Sequence, residues 1–123
     1  MRVIIAGSRT VMLEDAMFSM LDRFIKGIAT TVICGGAEGA DKIGKKWAKA
    51  RNIQVLTMNA NWERDGKAAG PIRNEKMCKV ADMLVAVWDM ESKGTRDMIG
   101  RAAKKQIPVL IIPESSLAKA SIL

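Results

Sequence analysis

Short apolar runs alternate along this chain with longer segments in which apolar residues recur every three or four positions. The runs are typical of strands buried on both faces, and they cover residues 3–6, 31–34, 53–58, 83–88 and 107–112. The spacing between them predicts helices over residues 12–28, 40–51, 71–81 and 94–105. Such alternation favours a parallel sheet with right-handed crossovers. The pattern therefore predicts an α/β fold: a single Rossmann-like doubly wound sheet of five parallel strands, in the order 3-2-1-4-5, with helices on both faces.

The chain has 123 residues, the length of one domain. We expect residues 1–113 to form it and residues 114–123 to be a C-terminal tail that forms a helical turn or frays. No apolar run reaches the roughly 18 residues that span a bilayer, so no membrane segment is predicted. Cys34 and Cys78 fit neither metal-site nor disulfide spacing, which indicates a cytoplasmic protein. The absence of His excludes imidazole catalysis and the usual zinc hydrolase sites, and no metal or cofactor is predicted.

The charge balance is compatible with an anionic partner. Lys and Arg number 20 against 13 Asp and Glu, giving a formal net charge of +7. This surplus suits nucleic acid or a phosphorylated small molecule, although solubility alone would also explain it. Lys42, Lys45, Lys46 and Lys49 lie on the exposed side of the second predicted helix, as a solvated face or as an attraction for nucleic acid. With no Tyr and only two Phe, stacking of several bases is disfavoured, so nucleic acid is the weaker candidate.

Three loops of the predicted sheet meet where the strand order reverses, at the carboxyl ends of strands one, two and four. Ligands of doubly wound folds bind in the crevice at this point. The residues expected to contact a ligand there are Gly7, Ser8 and Arg9, then Gly35, Gly36, Ala37, Glu38 and Gly39, and finally Asp89, Ser92, Gly94 and Thr95. Two of these loops lead directly into helices, whose N-termini favour phosphate. Ser92 or Thr95 could instead serve only as a helix N-cap.

The loop over residues 35–39 is the stronger of the two phosphate-binding candidates. Its glycines would let backbone N–H groups approach a phosphate, although a purely structural tight turn would use them as well. The spacing matches neither the dinucleotide fingerprint nor the Walker P-loop. Asp41 could accept hydrogen bonds from ligand hydroxyls or simply occupy the favourable first turn of its helix. Glu38 is expected to point away from a phosphate or to meet a ribose.

The polar connection over residues 59–70 is unusually long for a compact domain, and loops of this length are often functional. It contributes Trp62, Lys67 and Gly70 to the predicted site, and the helix that follows contributes Arg73 and Asn74. Arg suits bidentate recognition of phosphate, although a single surface Arg is often only solvated. Trp62 and Trp88 are the candidates for stacking on a base, whereas Trp47 has the spacing of a core residue.

Four segments of the chain together resemble the YspA-like branch of the SLOG superfamily, the Rossmann-like group that also holds LOG phosphoribohydrolases and DprA proteins. They are Gly7-Ser8-Arg9, Gly35-Gly36-Ala37-Glu38-Gly39-Ala40-Asp41, Gly66-Lys67-Ala68-Ala69-Gly70-Pro71-Ile72-Arg73-Asn74-Glu75-Lys76-Met77 and Ser92-Lys93-Gly94-Thr95. The resemblance covers about residues 2 to 112. It implies a nucleotide-derived ligand, such as a nucleoside monophosphate, ADP-ribose or a cyclic relative. It also implies a homodimer.

The same resemblance bears on catalysis. LOG enzymes cleave the N-glycosidic bond of a nucleotide, and Arg73 matches their catalytic arginine. Their G-G-x-G-T-x-x-E segment is similar to residues 91–98, with Gly94 and Thr95 matching, but its glutamate falls on Met98. Asp97 is the nearest acid and the tentative catalytic partner of Arg73. The leading hypothesis is therefore a sensor or sequestering protein for a nucleotide ligand. A phosphoribohydrolase and a DprA-like DNA-binding protein are the alternatives.

Overall fold

The computed structural model describes residues 1–122, with the side chains of residues 1–118. The strands are β1 (Arg2–Gly7), β2 (Thr31–Cys34), β3 (Gln54–Thr57), β4 (Met83–Trp88) and β5 (Val109–Pro113). The helices are α1 (Glu14–Ile25), α2 (Ala40–Ala50), α3 (Trp62–Asp65), α4 (Ala69–Val80), α5 (Lys93–Lys104) and α6 (Ser115–Ile122), and a 3-10 turn covers Gly66–Ala68.

The five strands form one parallel sheet in the order β3-β2-β1-β4-β5, which confirms the predicted fold class and strand order. Alternate residues of each strand face opposite sides of the sheet. On one side Ile5 and Val85 pack with Leu21 of α1 and Trp47 of α2, confirming Trp47 as a core residue. On this side the neighbouring strands β1 and β4 are therefore covered by helices.

The opposite face of the sheet has its own core. There Ile4, Ile33 and Leu84 pack with Met77 of α4 and Met98 of α5. None of the helices within residues 1–122 is long and apolar enough to cross a bilayer.

The first helix is shorter than the periodicity predicts. It begins at Glu14 and ends at Ile25, after which the Ile28 N–H bonds back to the Ile25 carbonyl in a closing turn. Because Ile25 occupies the core position, Phe24 and Ile28 are exposed, as is Leu13. Because apolar residues also flank the core-facing side of α1, their spacing does not define which of them are buried.

The long connection before α4 is ordered rather than irregular, which corrects the prediction of a loop over residues 59–70. Asn61 caps α3 by accepting a hydrogen bond from the Arg64 N–H at 3.0 Å, and a 3-10 turn then leads into α4. The helix begins at Ala69, two residues earlier than predicted. Pro71 still lies in its first turn, where the missing N–H would have had no partner within the helix.

The C-terminal tail forms a helix rather than fraying. Over the described part of residues 114–123, α6 packs against α1, and Leu117 is 1% exposed within the α1 core. Leu123 of the predicted tail lies outside the described residues. Leu117 therefore shares one apolar cluster with α1 and the sheet.

Candidate functional site

A cavity of about 520 Å³ opens at the carboxyl ends of β1, β2 and β4, between the starts of α4 and α5. Its size is that of a small-molecule site, for which volumes of about 300–1,000 Å³ are usual. The predicted ligand-contacting residues that lie in its wall are Gly7, Arg9, Gly35, Ala37, Asp41, Trp62, Gly70, Arg73, Asn74, Asp89, Ser92, Gly94 and Thr95, together with Asp97. The topology thus brings most of the predicted site together.

Five predicted residues lie outside that wall: Ser8, Gly36, Glu38, Gly39 and Lys67. Ser8 is buried, and its Oγ accepts a hydrogen bond from the Asp89 N–H at 2.9 Å, tying the loop after β1 to the loop after β4. The exposed Glu38 carboxylate lies 3.6 Å from Nζ of Lys42 on the outside of α2. These residues support the loops or face solvent.

The glycine loop after β2 closes on a carboxylate of its own helix. Oδ2 of Asp41 accepts a hydrogen bond from the Ala37 N–H at 3.3 Å, and the Gly35 amide also bonds the Asp41 carboxyl group. Asp41 is only 5% exposed, and burial raises its pKa to about 6 against the opposing effect of the amides and of Arg73 and Arg9. Two of the amides expected to bind phosphate therefore bind Asp41.

The glycines of this loop are required by the packing of the loops on one another. A Cβ at Gly35 would lie 2.7 Å from Cζ of Arg73 and 2.9 Å from Oδ2 of Asp41. Gly39 has a φ of +78°, and its Cβ would lie 2.6 Å from the carbonyl carbon of Arg9. Any side chain at Gly35 would therefore displace two groups of the cavity wall.

Arg73 is anchored across the cavity floor by two of its guanidinium nitrogens. Its Nη1 donates to the Gly35 carbonyl at 2.6 Å and its Nε donates to Oδ1 of Asn74 at 3.0 Å. The third nitrogen, Nη2, has no partner among the described residues. Nη2 is therefore available for an anionic ligand.

Asn74 and Asp97 extend this network into α5. Nδ2 of the buried Asn74 donates to Oδ2 of Asp97 at 3.0 Å and lies 3.3 Å from the Gly94 carbonyl. Oδ2 of Asp97 also accepts from Nε of Arg101 at 2.9 Å, while Oδ1 has no partner among the described residues. Arg101 is held in turn by Glu75 on α4, 3.0 Å away. Asp97 therefore combines a place in the cavity wall with one carboxylate oxygen that is unpaired among the described residues.

The loop after β4 is built around Asp89 and Ser92. Oδ1 of Asp89 accepts hydrogen bonds from the N–H groups of Glu91 and Ser92, at 2.9 and 2.8 Å, and these bonds lower the pKa of Asp89. Oγ of Ser92 caps α5 by accepting from the N–H and the hydroxyl of Thr95, at 3.4 and 3.1 Å. Ser92 is therefore the N-cap of α5, as the second alternative predicted. The first residues of α5 still lie at the cavity edge, together with the exposed side chain of Lys93.

The two candidate aromatic residues have different surroundings. Trp62 is 55% exposed at the rim of the cavity. Trp88 lies outside the wall, where its Nε1 donates to the Ser92 carbonyl at 3.1 Å and the Arg96 guanidinium lies 5.9 Å from its ring centroid. Trp62 is therefore the aromatic side chain that can stack on a ligand in this cavity.

Sequence reasoning missed several residues of the wall, namely Ala6, Thr10, Pro71, Met77, Lys93 and Met98. Oγ1 of Thr10 lies 3.0 Å from both carboxylate oxygens of Glu114, at the start of α6, so the rim is tied to the C-terminal segment. Thr10 directly follows the Gly7-Ser8-Arg9 segment, and Lys93 lies within the segment of residues 92–95. Met77 ends one of the segments that resemble the family, and Met98 stands at the position of the LOG glutamate. The spacing of both is that of ordinary core residues, so it does not assign either to the site.

The fold and the cavity define a class: a Rossmann-like α/β domain with a cavity of small-molecule size at the reversal of strand order. Comparison with known proteins gives the family. The model of the YspA, cpYpsA-related SLOG family (YAcAr) matches residues 1–64, just over half of the chain and both of the first two site loops. The chain belongs to this family.

Two relatives extend the comparison beyond residue 64. The chain is similar to the Gene 61 protein of Mycobacterium phage D29, with 37% identity over 119 residues, covering 89% of this chain and 94% of that protein. It shares its fold with DNA processing protein A (DprA) from Streptococcus pneumoniae, with a TM-score of 0.73 at 17% sequence identity. That match covers 91% of this chain and 50% of DprA, so the chain spans about half the length of that protein.

Proposed function

We propose that this protein binds a nucleotide-derived ligand, such as a nucleoside monophosphate, ADP-ribose or a cyclic relative, and acts as a sensor or sequestering protein. The observation that carries the proposal is the composition of the cavity at the carboxyl ends of β1, β2 and β4. It combines the cations Arg9, Arg73 and Lys93 with an exposed indole, that of Trp62. A nucleotide offers its anionic phosphate to these cations and the flat ring of its base to the indole.

The charges of the cavity support an anionic ligand. Three carboxylates line the same wall, but each has a partner. Asp89 and Asp41 accept hydrogen bonds from backbone amides, and Asp97 is paired with Arg101 at 2.9 Å. Arg73 has no carboxylate within 4.0 Å among the described residues and keeps Nη2 free. The start of α5 adds backbone donors and a partial positive charge on the same side.

A thermal-shift and native mass-spectrometry panel with AMP, ADP-ribose, cyclic ADP-ribose and NAD tests the proposal. A ligand at ~100 times its Kd should stabilise the protein by about 2.7 kcal/mol. Arg73→Gln should weaken binding by about 10- to 100-fold, since a hydrogen bond to a charged group contributes roughly 1.5–3 kcal/mol. Arg23→Gln, which changes an exposed cation of α1 outside the cavity, is the matched control. A panel without a stabilising ligand would refute the proposal.

A second candidate function is hydrolysis of a nucleotide N-glycosidic bond. It is favoured by Asp97, which lines the cavity and has no partner on Oδ1 among the described residues. Its Oδ2 is linked to Arg73 through Asn74. Asp97 would stabilise positive charge on the ribose or activate water, and Arg73 would hold the substrate. Release of free adenine from AMP by the wild type, lost in Asp97→Asn, would establish this activity. AMP that stays intact at high protein concentration would exclude it for that substrate.

Two further elements belong to the same proposal. We infer a cytoplasmic location, which the free, buried Cys34 and Cys78 support. A homodimer is inferred by analogy with the superfamily, and analytical ultracentrifugation of the pure protein would decide it. DNA binding is less well supported. Two of the four α2 lysines have acidic partners, Glu38 and Glu14, and Lys45 is half-buried rather than exposed.

A further inference from the structure

Asp41 is unusual among the acidic residues of this protein because it is buried without an ion pair. It is the only acid among the buried residues that the structure describes, and no Lys or Arg nitrogen lies within 4.0 Å of its carboxylate there. Its hydrogen bonds come from the amides of Ala37 and Gly35 in the loop after β2. Its carboxylate nevertheless lies in the wall of the cavity. A ligand entering the cavity therefore meets a desolvated carboxyl group.

The charges around Asp41 come from several elements. Two cations lower the pKa of Asp41 through their charge: Arg73, on α4, and Arg9, in the loop after β1. Neither forms an ion pair with Asp41. Across the cavity lie the following charged side chains of the β4 loop and α5: Asp89, Lys93 and Asp97. On its own helix, Lys42 is paired with the exposed Glu38. No neighbouring cation neutralises Asp41 directly.

We propose that Asp41 matches the charge of the cavity to its ligand: a phosphate-bearing ligand binds together with one proton, which the Asp41 carboxylate takes from solvent and returns when the ligand leaves. This inference rests on the proposed function. An anion placed near a desolvated carboxylate adds like-charge repulsion, which protonation of the carboxylate removes. The neutral carboxyl group can then donate its O–H to a ligand oxygen while its other oxygen keeps the loop amides.

The free protein is already poised for this step. Burial holds the pKa of Asp41 at about 6, so most of the carboxyl group is ionised at pH 7, and the need to protonate it lowers affinity by about tenfold relative to a fully protonated site. An aspartate with an ordinary pKa near ~3.9 would lower it by about a thousandfold. Affinity for the ligand should therefore rise as the pH falls from 8 to 6, by at most about tenfold per pH unit for one linked proton.

Isothermal titration calorimetry with AMP and with ADP-ribose, in buffers of different ionisation enthalpy, counts the protons taken up on binding. The pyrophosphate of ADP-ribose stays ionised over this range, and any uptake by AMP itself is removed by subtracting the value for Asp41→Asn. Wild type should take up a sizeable fraction of one proton at pH 7 and bind more tightly at pH 6 than at pH 8. Asp41→Asn should take up none through this site and bind at pH 8 more tightly than wild type.

Asp15→Asn removes an exposed carboxylate of α1 and serves as the matched control, with proton uptake equal to that of wild type. Wild-type binding without proton uptake and with a flat pH profile would overturn the inference while leaving the proposed function intact. That result would mean that the ionised Asp41 accepts ligand hydroxyls. If neither nucleotide binds at any pH, the proposed function fails and this inference fails with it. Should Asp41→Asn not fold, the proton count for wild type with ADP-ribose decides the matter.

Discussion

Replacing Asp41 by Asn should make the ligand-free protein more stable at neutral and alkaline pH. The carboxylate is 5% exposed, and its pKa is raised from 3.8 to about 6, so its ionised form is disfavoured in the folded state. A shift of about 2 units corresponds to about 3 kcal/mol. Asparagine has nearly the same shape and accepts the same amide hydrogen bonds without a charge. We expect a gain of about 1–3 kcal/mol at pH 8.

The pH dependence fixes the sign of this effect. Because the pKa of Asp41 is higher in the folded protein than in the unfolded chain, the folded state binds more protons between pH 3.8 and about 6. The contribution of Asp41 to stability therefore falls as the pH rises through this window and stays low above it. The advantage of Asp41→Asn should be close to zero at pH 4, grow between pH 4 and 6, and be constant above.

Urea unfolding of both proteins at pH 4, 5, 6, 7 and 8 measures the difference in free energy of unfolding, in which the titration of all other groups cancels. Asp15→Asn, on the exposed face of α1, should show no comparable trend. If the Asn variant were no more stable than wild type at pH 8, or if the difference did not change with pH, the reasoning about burial would be refuted.

Four other substitutions test different parts of the structure. Gly35→Ala should weaken nucleotide binding at least about tenfold with little change in stability, because its Cβ crowds the ends of side chains. Gly39→Ala should lower the free energy of unfolding by about 2 kcal/mol or more, because Gly39 has a φ of +78° and its Cβ would meet backbone atoms. Calorimetry and urea unfolding of both variants distinguish these outcomes. Trp62→Leu should weaken the binding of AMP by about tenfold, because stacking on the indole is lost, and should leave the binding of ribose 5-phosphate unchanged. Equal losses of affinity for both ligands would argue against stacking. Asp22→Asn breaks the 2.8 Å ion pair with Arg51, which lowers the pKa of Asp22 to about 2. Unfolding experiments should therefore show a destabilisation of roughly 1 kcal/mol at pH 7 that vanishes towards pH 2.

The sheet could be predicted from the sequence because its signals are local. Buried parallel strands form continuous apolar runs, and 83–88 is recovered residue for residue as β4. The helix faces were harder to predict. In α1 the residues Phe24, Ile25 and Ile28 are all apolar, so the spacing alone does not say that Ile25 enters the core. Tertiary packing decides among candidates that are equivalent in sequence.

The composition of the site could be predicted, but not the partners of its groups. Topology places residues 7, 35, 73 and 94 at one edge, and a strand order read from the pattern is enough to deduce that. Which amide meets which acceptor depends on loop geometry. Gly35 and Ala37 donate to Asp41 rather than pointing outward, and Ser92 caps α5, although both alternatives fit the same residues. These choices involve hydrogen bonds of similar free energy, and sequence patterns do not distinguish them.

The carboxylate at position 41 is the feature that a structural account of the glycine loop leaves unexplained. Asparagine would accept hydrogen bonds from Ala37 and Gly35 without placing a charge in a site that is 5% exposed. Closure of the loop alone therefore does not require an acid, and the ionised side chain destabilises the ligand-free fold above pH 6. A group whose pKa is raised by burial and which lies in a cavity wall is characteristic of a functional site. In this cavity, with Arg73 beside it and Lys93 opposite, the useful property of Asp41 is that it changes its charge near neutral pH.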